Sequence, residues 1–265
     1  MNWHNSSDDS PSVILPQHQM REYVSGQGTG SKPAVSDRLM MIMTREVVAH
    51  IAEKYSTIEE EYPIPAFLGN HRLYSLTHGA GLSIVEGTLG APVAVDALEV
   101  AIAMGCKMLF AFGLCGAVAE DVSVGDIVVP TEVVRKEGTS YHYTPDGANA
   151  RPDDALLSAL LRYLETNNGL KVHIGKAIST DAVFRQTLQT ERDWRADGIL
   201  GVDMEMSALL TVARHHEIPA VCLLVASDKH DLDGRTSWRW GGENFARARN
   251  AAIELYVAFA TSYEE

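Results

Sequence analysis

Val221–Cys222–Leu223–Leu224–Val225–Ala226–Ser227–Asp228 decides the architecture of this chain. Six successive apolar residues leave no polar face, so a strand here must be covered on both sides, as a central strand flanked by helices is. The run then stops at a hydroxyl and a carboxylate. Outward from it the same texture recurs. Strands are predicted over residues 39–43, 72–77, 108–112, 127–130 and 172–177, and helices over 47–55, 93–104, 155–166, 205–215 and 245–262. Val93, Ala94, Ala97, Leu98 and Ala101 form a small-residue face that lets a helix lie close on a sheet. This alternation predicts an α/β fold: a three-layer α/β/α sandwich with a mixed central sheet. Residues 37–265 read as a single domain without repeat or linker. Residues 1–36, with Ser6, Ser7, Asp8, Asp9, Gly26, Gly28 and Gly30, read as a flexible or surface-draped arm that Val13 to Leu15 would pin to the body or to a neighbouring subunit.

Bulk composition excludes more than it selects. The 265 residues carry 22 Lys and Arg against 35 Asp and Glu, a formal charge of −13, which disfavours nucleic acid and anionic membrane as partners. Cys106, Cys115 and Cys222 sit in apolar stretches and form no disulfide framework, so a reducing cytoplasm is the expected compartment. No Cys/His spacing suits structural zinc, no apolar run is long enough to span a bilayer, and the polar N-terminus is not expected to be a secretory signal.

In sheets of this kind ligands bind beyond the carboxyl ends of the strands. Four such ends carry unusual chemistry. Gly113–Leu114–Cys115–Gly116–Ala117 follows one strand, and its exposed main chain suits the edge of a flat heterocycle. Cys115 as a nucleophile lacks a basic neighbour in the sequence. His78–Gly79–Ala80–Gly81 follows another strand, either as an ordinary turn or as a second wall of one crevice. In Asp203–Met204–Glu205, Asp203 is the expected helix cap. Glu205 either serves the first helical turn or accepts hydrogen bonds from a sugar diol, with Met204 against the sugar's apolar face. Asp228 either caps a loop or, protonated through burial, donates to a ring nitrogen of a departing purine-like base. Phe184, beyond the strand end near Thr180, either stacks on that base or fills the core.

The ordered set Gly81, Gly90–Ala91–Pro92, Gly113 to Ala117, Gly125–Asp126, Arg135 with Gly138–Thr139–Ser140–Tyr141–His142–Tyr143, Met204–Glu205 and Ser227–Asp228 resembles the nucleoside phosphorylase and nucleosidase superfamily. The likeness covers about residues 39–260 and implies cleavage of the N-glycosidic bond of a nucleoside. It implies that Glu205 holds the ribose 2′- and 3′-hydroxyls and Met204 lines the sugar. Asp228 assists the base, and Cys115, Gly116 and Phe184 frame it, with Gly81 at the same site. It also implies a homo-oligomer (dimer, trimer or hexamer), active sites completed by a neighbour, and no cofactor or metal. Inorganic phosphate enters only as a co-substrate.

Departures from the pattern bear on the acceptor. Where phosphorolytic members resemble one another in a Gly–Asp turn and an arginine, this chain has Met43–Thr44–Arg45–Glu46–Val47. Where a second phosphate-binding arginine is usual it has Ala111, with Leu114 in place of a small hydroxyl residue. Phosphate needs several donors and positive charge, so Arg45, Arg72 or a neighbour's arginine would have to compensate. Hydrolytic members instead orient water with a glutamate after the first strand, and Glu46 falls there; its alternative is an ordinary first-turn carboxylate. The expectation is therefore cleavage with a purine-type base and water ahead of phosphate. The alternatives are phosphorolysis through a rebuilt anion site and a catalytically silent nucleoside binder. Pyrimidine-specific members of that superfamily read the uracil edge with a glutamine–arginine pair; Gln186, Gln189 and Arg192 lie nearby but not in an assignable spacing, so base preference stays open, tilted to purines by Asp228.

Overall fold

The computed structural model describes residues 10, 12–27, 35–67, 69–76, 81–87, 89–144, 148–166, 169–233 and 238–264. Along the chain run α1 (Pro16–Gln27), β1 (Arg38–Ile42), α2 (Arg45–Lys54), β2 (Thr57–Glu59), β3 (Leu73–Leu76), β4 (Leu82–Glu86), α3 (Ala91–Ala103), β5 (Met108–Ala117) and β6 (Ile127–Lys136). There follow α4 (Asp154–Thr166), β7 (Val172–Thr180), α5 (Leu188–Ala196), β8 (Ile199–Asp203), α6 (Met206–His215), β9 (Ala220–Lys229) and α7 (Glu243–Ser262).

Alternation along each strand builds two cores. Leu39, Met41, Leu109, Ala111, Cys222 and Leu224 pack on one side with α3 and α6; Met40, Ile42, Phe110, Phe112, Val221 and Leu223 pack on the other with α2, α4 and α7. Leu156, Leu160 and Leu164 give α4 its buried stripe. Tyr256 of α7 is fully buried and donates its hydroxyl to the Val221 carbonyl at 2.9 Å, so its polar atom carries no unpaired cost. The result is the expected three-layer sandwich on a mixed sheet. The strand order is β2-β3-β4-β1-β5-β8-β7-β6-β9, and β9 also pairs with β5. Strands β5, β8, β7, β6 and β9 therefore close into a five-membered ring, while β2, β3, β4 and β1 extend from it as an open wing.

Several details differ from the sequence expectation. Strands β2, β4 and β8 and helices α1 and α5 are additional elements. Strand β5 runs on through Gly113 to Ala117, and β9 runs on to Lys229. Each extension has a partner: β5 gains β8 antiparallel at Gly116 and Ala117, and remains beside β9 past a bulge at Cys115/Gly116. The glycine segment is thus strand rather than turn. Gly81 requires a second correction. Strand β3 is antiparallel to β4, so its end lies at the amino end of β4; Gly81 (φ +59°) sits there, with Leu82 opposite Arg38, at the far end of β1 and β4 from Glu86. His78, Gly79 and Ala80 lie outside the described residues. Of the arm, α1 lies along α3 with Met20 against the core, while Val13, Ile14 and Leu15 are exposed.

Candidate active site

The carboxyl ends of β5, β7, β8 and β9 meet the amino end of α3. Gly116 stands at their centre, opposite Val202 of β8 on one side and Asp228 of β9 on the other. A Cβ at Gly116 would lie 3.3 Å from Val202 Cγ1 and 3.5 Å from Asp228 Oδ2, so bare main chain is what fits beside this carboxylate.

On one flank Asp203 caps α6, as its sequence position suggested. Its Oδ1 accepts from the Glu205 and Met206 N–H groups at 2.7 and 2.8 Å and from Ser179 Oγ at 2.8 Å. With the cap supplied by Asp203, the Glu205 side chain is released to turn toward α3, where its Oε1 accepts the Gly90 N–H at 2.6 Å. Glu205 is buried; burial first, and the neighbouring Asp203 charge second, push its pKa up to about 8. Asp203 is itself raised, chiefly by burial. The network continues through Ser207, which donates from its N–H to Ser179 Oγ at 2.9 Å and from its hydroxyl to Glu137 Oε1 at 2.8 Å. Met204 lies half-buried in the turn between β8 and α6.

On the other flank Asp228 is buried and fully engaged. Ser227 Oγ donates to its Oδ1 at 2.6 Å, and Trp238 Nε1 donates to its Oδ2 at 2.7 Å. His230 Nε2 lies 3.3 Å from the same Oδ2, and His230 Nδ1 makes a short hydrogen bond to Glu191 Oε1. Burial pushes the Asp228 carboxyl up, but hydrogen bonds from His230, Ser227 and Trp238 together outweigh it and hold the group below its ordinary value. The expectation of a burial-raised, protonated Asp228 is thereby overturned. The proton resides on His230, raised to about 9 by its hydrogen bonds to Asp228 and Glu191. Phe184 is 98% exposed at the carboxyl end of β7, so it fills no core.

Cys115 is buried with its thiol pushed well above the ordinary value, and a Cβ on Gly201 would come within 2.8 Å of its Sγ. Such a packed, protonated thiol is no nucleophile. Its carbonyl accepts from Ser227 Oγ at 3.2 Å, which ties β5 to β9 beside the site.

Facing the ends of β1 and β4 the picture changes. Arg45 is 83% exposed and pairs with Glu86 at 2.7 Å. Arg72 forks onto Glu59 through Nε (2.7 Å) and Nη2 (2.6 Å). Glu46 is exposed in the first turn of α2. Arg135 is buried and spent on structure: it donates to Ser140 Oγ and the Thr144 and Ala148 carbonyls, and stacks 4.2 Å from the Tyr141 ring centroid. The structure thus gathers Gly116, Met204, Glu205, Asp228 and the Cys115 main chain at adjoining strand ends, with Phe184 at the end of β7. Gly81 is at the opposite end.

His230, Glu191 and Trp238 carry no signal in the family pattern, and Gly90 belongs to that pattern without a role at the site. His230 had a signal in its closeness in sequence, standing two residues past Asp228 and one past the end of β9. Gly90 and Trp238 reach the site only through tertiary folding. Among the described residues no group of His, Cys, Asp and Glu is arranged to hold a metal, and no helix is long and apolar enough to cross a membrane.

A mixed sheet closed on itself, layered by helices and carrying buried carboxylates at its strand ends, is the architecture of the phosphorylase-like proteins. The chain belongs to the phosphorylase superfamily, whose sequence pattern matches residues 39–261. It is 32% identical over 161 residues to a guanosine phosphorylase of Halorubrum lacusprofundi, a match that covers 58% of this chain and 66% of that protein, just under two-thirds of its length. In fold it resembles a uridine phosphorylase from Vibrio fischeri complexed with 6-hydroxy-1-naphthoic acid (TM-score 0.72, 24% identity, 86% of this chain and 90% of that one). It also resembles a purine nucleoside phosphorylase from Toxoplasma gondii in complex with immucillin-H (TM-score 0.75, 15% identity, 86% and 91%).

Proposed function

We propose that this protein cleaves the N-glycosidic bond of a purine nucleoside, with water as the acceptor. The observation that carries this reading is the bare Gly116 backbone between Val202 of β8 and Asp228 of β9, with Glu205 just past the carboxyl end of β8; in this reading Glu205 serves the sugar diol and Asp228 the base. Met204 would lie on the sugar and Phe184, exposed at the rim, would stack on the base. Breaking C1′–N develops positive charge on the ribose and negative charge on the base, and fixed buried groups act most strongly on such charge. A purine is favoured because Gln189 is bonded to Asp193 and Arg192 to the Leu232 carbonyl, which engages two of the three residues considered for a uracil edge. Water is favoured because Arg45 and Arg72 are each neutralised by a carboxylate, while Ala111 and Leu114 offer no donor. Glu46, at the start of α2, would orient that water.

Phosphorolysis is the second reading. The buried Thr44 hydroxyl lacks a hydrogen-bond partner among the described residues at the N-terminus of α2, a place suited to an anion, and the relative from Halorubrum is named a phosphorylase. Base release from guanosine, inosine and uridine, measured with and without phosphate, separates the two. Ribose as product in phosphate-free buffer supports hydrolysis; strict phosphate dependence with ribose 1-phosphate replaces it with phosphorolysis. Saturable binding without turnover would mark a silent binder. A cytoplasmic homo-oligomer is the accompanying expectation, tested by light scattering.

A further inference from the structure

Helix α5 has one buried residue, and it is an acid, Glu191. Burying a carboxylate is costly unless it is paired and hydrogen-bonded. Glu191 Oε1 meets His230 Nδ1, while its Oε2 is buried without a hydrogen-bond partner among the described residues. The imidazole therefore carries the compensation for this acid, and its other nitrogen faces the buried Asp228. Other charged groups nearby point elsewhere. Arg192 reaches the Leu232 carbonyl at 3.3 Å, Lys229 reaches the Glu120 and Val122 carbonyls, and Asp231 accepts the Asp233 N–H. An imidazole between two carboxylates is a cation with a proton on each nitrogen.

We propose that His230 stores the proton delivered to the departing base and passes it through Asp228, and that Glu191 holds His230 in position and in its charged form. This deepens the function proposed above and rests on it. As C1′–N breaks, the bonding electron pair moves onto the base, the acceptor water's electron pair forms the new bond at C1′, and that water gives up a proton to solvent. The proton on His230 Nε2 moves to the Asp228 carboxylate, and the carboxyl group so formed gives a proton to the ring nitrogen of the base. The base leaves neutral. His230 is left as neutral imidazole, its Nδ1–H still bonded to Glu191, and takes a proton from solvent before the next turnover. His230 and Glu191 are positioning residues; Asp228 meets the base.

The test compares inosine, whose base needs a proton to leave, with 4-nitrophenyl β-ribofuranoside, whose leaving group does not. In His230→Gln the ratio of kcat/KM for the nitrophenyl riboside to that for inosine is expected to rise about 100-fold, within the range for lost acid catalysis. Equal loss on both substrates would overturn the proposal. In Glu191→Gln, which keeps the shape of the side chain, the alkaline fall of kcat/KM for inosine is expected to move from about 9 toward the ordinary imidazole value of 6.5. An unmoved limb in a folded Glu191→Gln protein would also overturn it. NMR titration of the resting protein follows the same group without turnover, and a His230 midpoint near 6.5 in the wild type counts against it. If the wild type cleaves neither compound while His230 titrates near 9, the failure lies with the proposed function.

Discussion

The two regions proposed to serve the reaction are built by opposite rules. The region proposed to hold sugar and base is a lattice of buried polar groups on the closed ring of strands. Asp203, Ser179, Ser207 and Glu137 interlock behind Glu205, while Ser227, Trp238, His230 and Glu191 surround Asp228. The region proposed to face the acceptor carries two ion pairs, Arg45–Glu86 and Arg72–Glu59, on the open wing. Breaking a buried hydrogen bond strands its partner at about 1–3 kcal/mol, whereas exposed ion pairs contribute about 0–1 kcal/mol. If the proposed function holds, the handling of the nucleoside is set by buried groups costly to change, and the choice of acceptor by side chains that are cheap to change.

The sharpest way to break this contrast is at Asp228. Asp228→Ala is expected to lower kcat/KM on inosine by about 10²–10⁴-fold; a loss below tenfold would remove Asp228 from the chemistry. Next comes Glu205→Gln, which removes a carboxyl that ionises only as pH rises through about 8; above that pH the lost charge-assisted bonds to the diol predict about 10²-fold lower kcat/KM, expressed mainly in KM. The same variant has an expected stability signature. Glu205 is raised from 4.5 to about 8 in the folded chain, so its favourable contribution is complete below pH 4.5 and disappears as pH rises through about 8. Thermal melts should thus show Glu205→Gln gaining on the wild type across that window; parallel curves would refute the raised carboxyl. Smaller still, Arg45→Ala is expected to change phosphate-free turnover by less than about threefold and stability by less than about 1 kcal/mol. A large, phosphate-dependent loss would instead make the wing part of an anion site. Cys115→Ser should alter turnover least, given its packed thiol.

Much of this was legible in the chain itself where local pattern carries the information. The apolar run at Val221 marked the central strand, and Asp203–Met204–Glu205 declared both the cap and the carboxylate it frees. Strand β8 stayed hidden because Gly201 and Asp203 interrupt so short an apolar segment, and α5 because its only buried residue is charged. Gly81 was misplaced because direction is invisible locally: nothing in residues 72–81 says that β3 runs against β4. Asp228 was assigned the wrong protonation state for a related reason. Burial could be inferred from the strand before it, but Trp238 and Glu191 are distant in sequence and join its surroundings only in the folded chain.

The bond from Trp238 to Asp228 has an optical consequence. The indole is 56% exposed, yet its N–H is held by the carboxylate that would receive the base. Any ligand that displaces the indole from Asp228 Oδ2 moves the chromophore from a charged partner to solvent or to the ligand's own ring, so its emission should change in wavelength or yield. If Asp228 receives the base as proposed, Trp238 is a native fluorescence gauge of occupancy there, able to register a nucleoside with no label and before any bond is broken.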